Sequence, residues 1–100
     1  MARYVDKPWG HESIWAETER YVGKILHIRA GQRLSLQFHE KKDESILVIR
    51  GKLRLELESD TGEMRVTELG PGESERIQTG RKHRFGAIED CDLVEVSTPE

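Results

Sequence analysis

The sequence has a single cysteine, no long apolar run, no basic excess and no stretch with convincing helical periodicity. Cys91 alone cannot form an internal disulfide, and nothing beside it in the sequence marks it as a ligand or a nucleophile. The longest purely aliphatic run is Ile46-Leu47-Val48-Ile49, far too short to span a bilayer. The first residues, Met-Ala-Arg-Tyr-Val-Asp-Lys-Pro, contain no apolar signal segment. These absences predict a soluble, cytoplasmic protein with no membrane partner. Sixteen Lys and Arg stand against nineteen Asp and Glu, a net charge of −3, and no basic run is interleaved with aromatics. That excludes a nucleic-acid platform. One hundred residues, 35% apolar and 35% charged, suffice for one domain over 1–100 with one modest core.

What the sequence does have is regular punctuation. Turn signals fall at Ala30-Gly31, Arg50-Gly51, Asp60-Thr61-Gly62, Gly70-Pro71-Gly72, Thr79-Gly80 and Glu89-Asp90. Between them lie short runs rich in Ile, Val and Leu. Leu53, Leu55 and Leu57 alternate with Arg54 and Glu56, and a period of two also runs through Asp92-Leu93-Val94-Glu95-Val96. Short alternating strands at such spacing predict an all-β sandwich or barrel. Residues 1–20, with Pro8 and Gly10, are expected to supply an N-terminal arm and a first strand. Trp9 and Trp15 then pack against the barrel or wall a pocket.

Chemistry-bearing residues concentrate in two segments, 31–51 and 72–87. Read as a strand, 33–39 puts Arg33, Ser35, Gln37 and His39 on one face and Leu34, Leu36 and Phe38 on the other. Gln37 and His39 then point at one place. Glu44, after the charged turn Glu40-Lys41-Lys42-Asp43, opens the next strand, and His83 comes from a distant one. Two imidazoles, a carboxylate and an amide form a mixed donor set that suits one divalent transition metal: Zn, Mn, Fe, Co or Ni. His11 and His27 have no comparable spacing. The apolar triplet Leu34, Leu36 and Phe38, turned from the metal, predicts a homodimer.

The spacing resembles the cupin superfamily of small jelly-roll barrels. The first cupin motif, G-x5-H-x-H-x3/4-E-x6-G, is matched by Gly31, Gln37, His39, Glu44 and Gly51, with Gln37 in place of the first histidine. The second, G-x5-P-x-G-x2-H-x3-N, is matched by Gly72, Gln78, Gly80, His83 and Ala87, with Gln78 and Ala87 as departures. The chain is more narrowly similar to the isomerase domain of the bifunctional mannose-6-phosphate isomerases. It shares with them Lys7-Pro8-Trp9-Gly10, the run Gly31 to Gln37, Gly80-Arg81-Lys82-His83-Arg84 and Leu93-Val94-Glu95-Val96. After His39, Glu-Lys-Lys-Asp-Glu departs from that family's histidine-rich continuation.

The resemblance implies a single small cupin β-barrel and aldose–ketose isomerisation of a sugar phosphate. It implies Gln37, His39, Glu44 and His83 as the metal ligands. Arg33 is the expected electrostatic and substrate contact, with Lys7, Arg81 and Lys82 as further phosphate candidates. Glu95, His11 and Glu75 are each conceivable as the proton-transfer base. Two alternatives stand beside this reading: another metal-dependent cupin enzyme, such as a dioxygenase or lyase, and a non-catalytic cupin that binds a sugar or small acid.

Overall fold

The computed structural model describes residues 2–99. Nine strands carry nearly all the regular structure: β1 (Arg3–Lys7), β2 (Gly10–Glu17), β3 (Val22–Ile28), β4 (Glu44–Arg50), β5 (Leu53–Glu58), β6 (Met64–Leu69), β7 (Ser74–Ile77), β8 (His83–Ala87) and β9 (Cys91–Ser97). They form two antiparallel sheets, a large one in the order β1-β2-β3-β9-β4-β7 and a small one in the order β6-β5-β8. The arm expected at the N-terminus is itself a hairpin, β1–β2, that forms the edge of the large sheet. No helix among the described residues is long and apolar enough to cross a membrane.

The core lies between the sheets and follows from period-two alternation. Leu26, Ile28, Ile46, Val48, Ile77, Cys91 and Leu93 face inward from the large sheet; Leu53, Leu55, Leu69, Phe85 and Ala87 meet them from the small one. Burying each of the larger aliphatic side chains stabilises the fold by about 2 kcal/mol. The all-β jelly-roll architecture agrees with the sequence reading. In β9 the inward set is Cys91, Leu93, Glu95 and Ser97, so Val96 faces solvent while the carboxylate of Glu95 faces the interior. Cys91 is fully buried, and that burial pushes its thiol up to about 11, which keeps it protonated and inert.

Residues 33–39 depart from the strand expected there. The segment runs antiparallel to β8 but forms only two isolated bridges, Arg33 to Gly86 and Gln37 to His83. From Arg33 to Gln37 the chain advances one residue further than β8 does from Gly86 to His83, so the segment holds a bulge. A bulge inverts the alternation beyond it. Arg33 therefore pairs with outward-facing Gly86, and Gln37 with inward-facing, buried His83. The apolar triplet is broken up as well. Leu34 packs on the core, whereas Leu36 and Phe38 stay exposed.

Candidate metal centre

Backbone hydrogen bonds tie the two motif segments together. Gln37 N–H donates to His83 O at 2.8 Å, His83 N–H donates back to Gln37 O at 2.9 Å, and Gly80 N–H donates to His39 O at 2.9 Å. Glu44 begins β4, paired with Ser97 of β9 and Ile77 of β7. The site therefore bridges the sheets, with a carboxylate from the large one, one imidazole from β8 at the edge of the small one and the other from the segment beside β8. Ligand atoms of His39, Glu44 and His83 all lie within 4.8 Å of one another, a group able to hold a metal ion. The imidazole centroids of His39 and His83 are 5.4 Å apart. Gln37 lines the same cavity of about 270 Å³, with Trp9, Leu34, Lys7, Lys42 and Glu95 also in its wall.

The donor set fits a cation. His83 Nδ1 lies 3.1 Å from the carbonyl oxygen of Arg81. A carbonyl only accepts, so Nδ1 carries the proton and Nε2 presents its lone pair on the other side. That lone pair faces Glu44 Oε1 at 3.2 Å. Two acceptors at that distance repel unless a proton or a metal cation lies between them. Both Glu44 oxygens are buried and neither has an aligned hydrogen bond from the described residues, although Oε2 lies 3.1 Å from Lys42 Nζ. The short distances establish charge contact, and the poor alignment shows that the contacts do not saturate the carboxylate.

Lys42 Nζ also lies 3.2 Å from Glu95 Oε2, so one ammonium bridges two buried carboxylates. Burial alone would lower the Lys42 pKa, but Glu95 and Glu44 outweigh it and raise it. Burial pushes the Glu95 carboxyl up, and the charge of Glu44 adds to this against the opposing pull of Lys42 and Lys24. For Glu44 burial is again the largest influence, an upward one, but His83 and Lys42 together hold the carboxyl below its ordinary value. His83 is raised, because its bonds to Glu44 and the Arg81 carbonyl exceed the downward push of burial.

Of the sequence-derived contacts, Lys7 lines this cavity and the other three basic residues do not. The bulge turns Arg33 onto a separate cavity on the outer face of the small sheet. Arg81 is drawn to the β5–β6 turn, where it pairs with Asp60 and donates to the carbonyl of Glu58 at 3.2 Å. Lys82 is exposed and absent from the wall. Among the three conceivable bases, Glu95 alone faces the cavity. His11 is stacked between Tyr4 and His27 on the outer face of the large sheet, and Glu75 lies on another surface cavity.

Spacing rules did not find Glu12, Lys24 and Lys42, which also line the cavity. Parity was the available signal for two of them. Lys24 alternates with Leu26 and Ile28, and Glu12 with Ile14, so each falls at an inward position of its strand. Lys24 stands directly across from Glu95 and lies 3.7 Å from Glu12.

Known proteins are similar to this chain in sequence and in fold. Mannose-1-phosphate guanylyltransferase ManC of Salmonella typhimurium is 34% identical over 99 residues, covering 96% of this chain and 19% of that protein. The mannose-1-phosphate guanylyltransferase of Escherichia coli is 31% identical over 97 residues, covering 94% of this chain and 19% of that protein. The chain thus spans less than one fifth of the length of these relatives. KdgF from Halomonas sp. superposes with a TM-score of 0.84 at 25% identity, over 98% of this chain and 86% of that one. An oxalate decarboxylase variant of B. subtilis shares the fold with a TM-score of 0.86 at 17% identity, over 97% of this chain and 27% of that one. The family described as mannose-6-phosphate isomerase C-terminal matches residues 1–98, and the chain belongs to that family, a branch of the cupins.

Proposed function

We propose that this chain is a metal-dependent sugar-phosphate isomerase of the mannose-6-phosphate type, with one divalent transition metal held by Gln37, His39, Glu44 and His83. The observation that carries the reading is the gathering of His39, Glu44 and His83 at a lysine-lined cavity whose wall includes His39 and Glu44. Two imidazole nitrogens with two oxygens suit Zn, Mn, Fe, Co or Ni. When bound, the metal supplies Lewis-acid polarisation of substrate oxygens.

The protein's own side chains have the remaining tasks. Lys7 carries no ion pair among the described residues and faces the cavity, so it is the cation we assign to the phosphate group. Trp9 and Leu34 close the apolar part of the wall and exclude water. Glu95 is the group we assign to proton transfer, steadied by Lys42 at 3.2 Å. In an aldose–ketose exchange the C2 proton moves to C1 and the O2 hydroxyl proton to O1, so no co-reactant is consumed.

The test is interconversion of mannose 6-phosphate and fructose 6-phosphate by metal-loaded protein, followed by NMR in deuterated water. Glu95→Gln is expected to lower kcat by roughly 10²–10⁴-fold with metal content unchanged. A fully loaded wild type that leaves the sugar phosphates intact rules the isomerase out. The likeness to KdgF, which extends over most of that protein, favours as second reading a metal-dependent cupin with a different small-molecule reaction.

The homodimer belongs to the same proposal. Leu36 and Phe38 remain exposed, and Ile25, Leu47 and Val96 add apolar surface on the outer face of the large sheet. Sedimentation at micromolar concentration is expected to give the mass of two chains; a single-chain mass removes the dimer.

A further inference from the structure

The bulge that removes Arg33 from the metal cavity delivers it to another. On the outer face of the small sheet, Gly86 of β8 lies between two arginines in register. Arg54 of β5 pairs with it on one side and Arg33 on the other. Arg84, two residues along β8, faces the same way, and all three line a cavity of about 200 Å³. Because Gly86 has no side chain, the row Arg54-Gly86-Arg33 is notched at its centre. A Cβ there would meet Arg33 Cβ at 3.5 Å, ordinary contact, so a side chain at this position would fill the notch without forcing the backbones apart.

The charge in this notch is unbalanced. Glu56 is the carboxylate paired with these arginines: it accepts from Arg54 Nη1 and from Arg84 Nε, each at 2.6 Å. The hydrogen bonds from Arg84 and Arg54 hold the Glu56 carboxyl below its ordinary value, and they fix two guanidiniums in place. A guanidinium has five N–H donors, so both arginines retain donors for a ligand. Arg33 has no hydrogen bond or ion pair from its guanidinium among the described residues. Glu68, across from Arg54 on β6, lies 3.8 Å from Lys52, so three guanidiniums and an ammonium face two carboxylates, a positive spot on a chain whose net charge is −3. The ion pairs of Glu56 account for Arg54 and Arg84 but not for Arg33, so they do not explain the whole cluster.

We propose that this notch binds the phosphate-monoester group of a small molecule. Guanidinium forks brought to one cavity from two adjacent strands and the bulged segment beside them match a tetrahedral dianion, whereas a planar carboxylate is satisfied by one fork. The notch is separate from the metal centre. In β8 the inward residues are His83, Phe85 and Ala87, while Arg84 and Gly86 face the opposite way. The proposal therefore stands or falls independently of the isomerase reading.

The test is an NMR titration of the metal-free full chain with inorganic phosphate, at constant ionic strength and a pH of about 8, where phosphate is dianionic. Removing the metal prevents phosphate from reporting on the other site. Saturable shifts are expected at Gln32, Arg33, Gly86 and Ala87. Arg33→Gln and Arg54→Gln are each expected to weaken binding at least tenfold, and Arg20→Gln, in a distant turn, to leave it unchanged. Acetate in place of phosphate is expected to give no saturable shift. Linear shifts, equal shifts with acetate, or phosphate affinity unchanged in both notch variants would overturn the proposal. The side chains are exposed, and the amide spectrum of each variant reports directly whether it has folded.

Discussion

His83→Ala is expected to yield a folded protein that has lost its metal, with affinity reduced by about a hundredfold or more. Changing a group that merely orients a ligand typically costs about 10–100-fold in metal affinity, so removing a ligand falls at or beyond the upper end. His83 is the residue with most at stake. It is 2% exposed, its Nδ1 is committed to the Arg81 carbonyl, and its Nε2 faces Glu44. Truncation also leaves space beside Phe85 and His39, which costs about 1–3 kcal/mol of stability. His39→Ala is expected to lose metal similarly with a smaller stability cost, because its side chain is less buried. Gln37→Ala is expected to lose only about tenfold, since a neutral amide oxygen is the weakest donor of the four. Elemental analysis of each purified variant after reconstitution, with urea unfolding alongside, checks the series. Full metal occupancy in both histidine variants would sink the assignment.

The cluster of His39, Glu44 and His83 was legible because it rests on features that a sequence displays. Turn-bounded alternation identifies the strands, and fixed spacing across the Gly31–Gly51 and Gly72–Ala87 segments brings His39, Glu44 and His83 together. Arg33 was misplaced for a specific reason. Alternation assigns a face only while pairing stays in register, and one extra residue between Arg33 and Gln37 exchanges the faces beyond it. The same bulge explains why Leu34 joins the core while Leu36 and Phe38 do not.

Arg81 illustrates a second limit. It sits two residues before His83, but its partner Asp60 is brought to it by a β-turn whose position relative to β8 no local pattern encodes. Glu95 and Lys24 show the reverse. Their parity with Leu93 and Leu26 was visible, and a charged residue at an inward position of a strand is itself a sign of a built site.

Gly51→Ala is expected to be among the most damaging single substitutions outside the site, at about 3–4 kcal/mol, while Gly31→Ala costs about 1 kcal/mol. The two glycines bound the first motif segment, Gly51 at its end and Gly31 at its start, and both have positive φ, +85° and +81°. A left-handed alanine costs about 1–2 kcal/mol at either position. The difference is steric. A Cβ at Gly51 would lie 1.9 Å from the carbonyl oxygen of Asp90, whereas one at Gly31 meets nothing within 4 Å. Relief at Gly51 requires the β4–β5 turn to move away from the β8–β9 turn, where Ile88 N–H donates to Lys52 O at 2.9 Å. Glu44 lies at the other end of β4, about 20 Å away at 3.3 Å per residue. Folded Gly51→Ala protein is therefore expected to keep its full metal complement while its urea midpoint falls. That is the opposite pattern to His83→Ala, where metal is lost first. Equal stability losses at Gly51 and Gly31 would show that the turns yield, and that the close approach to Asp90 is not what demands glycine at the end of the motif.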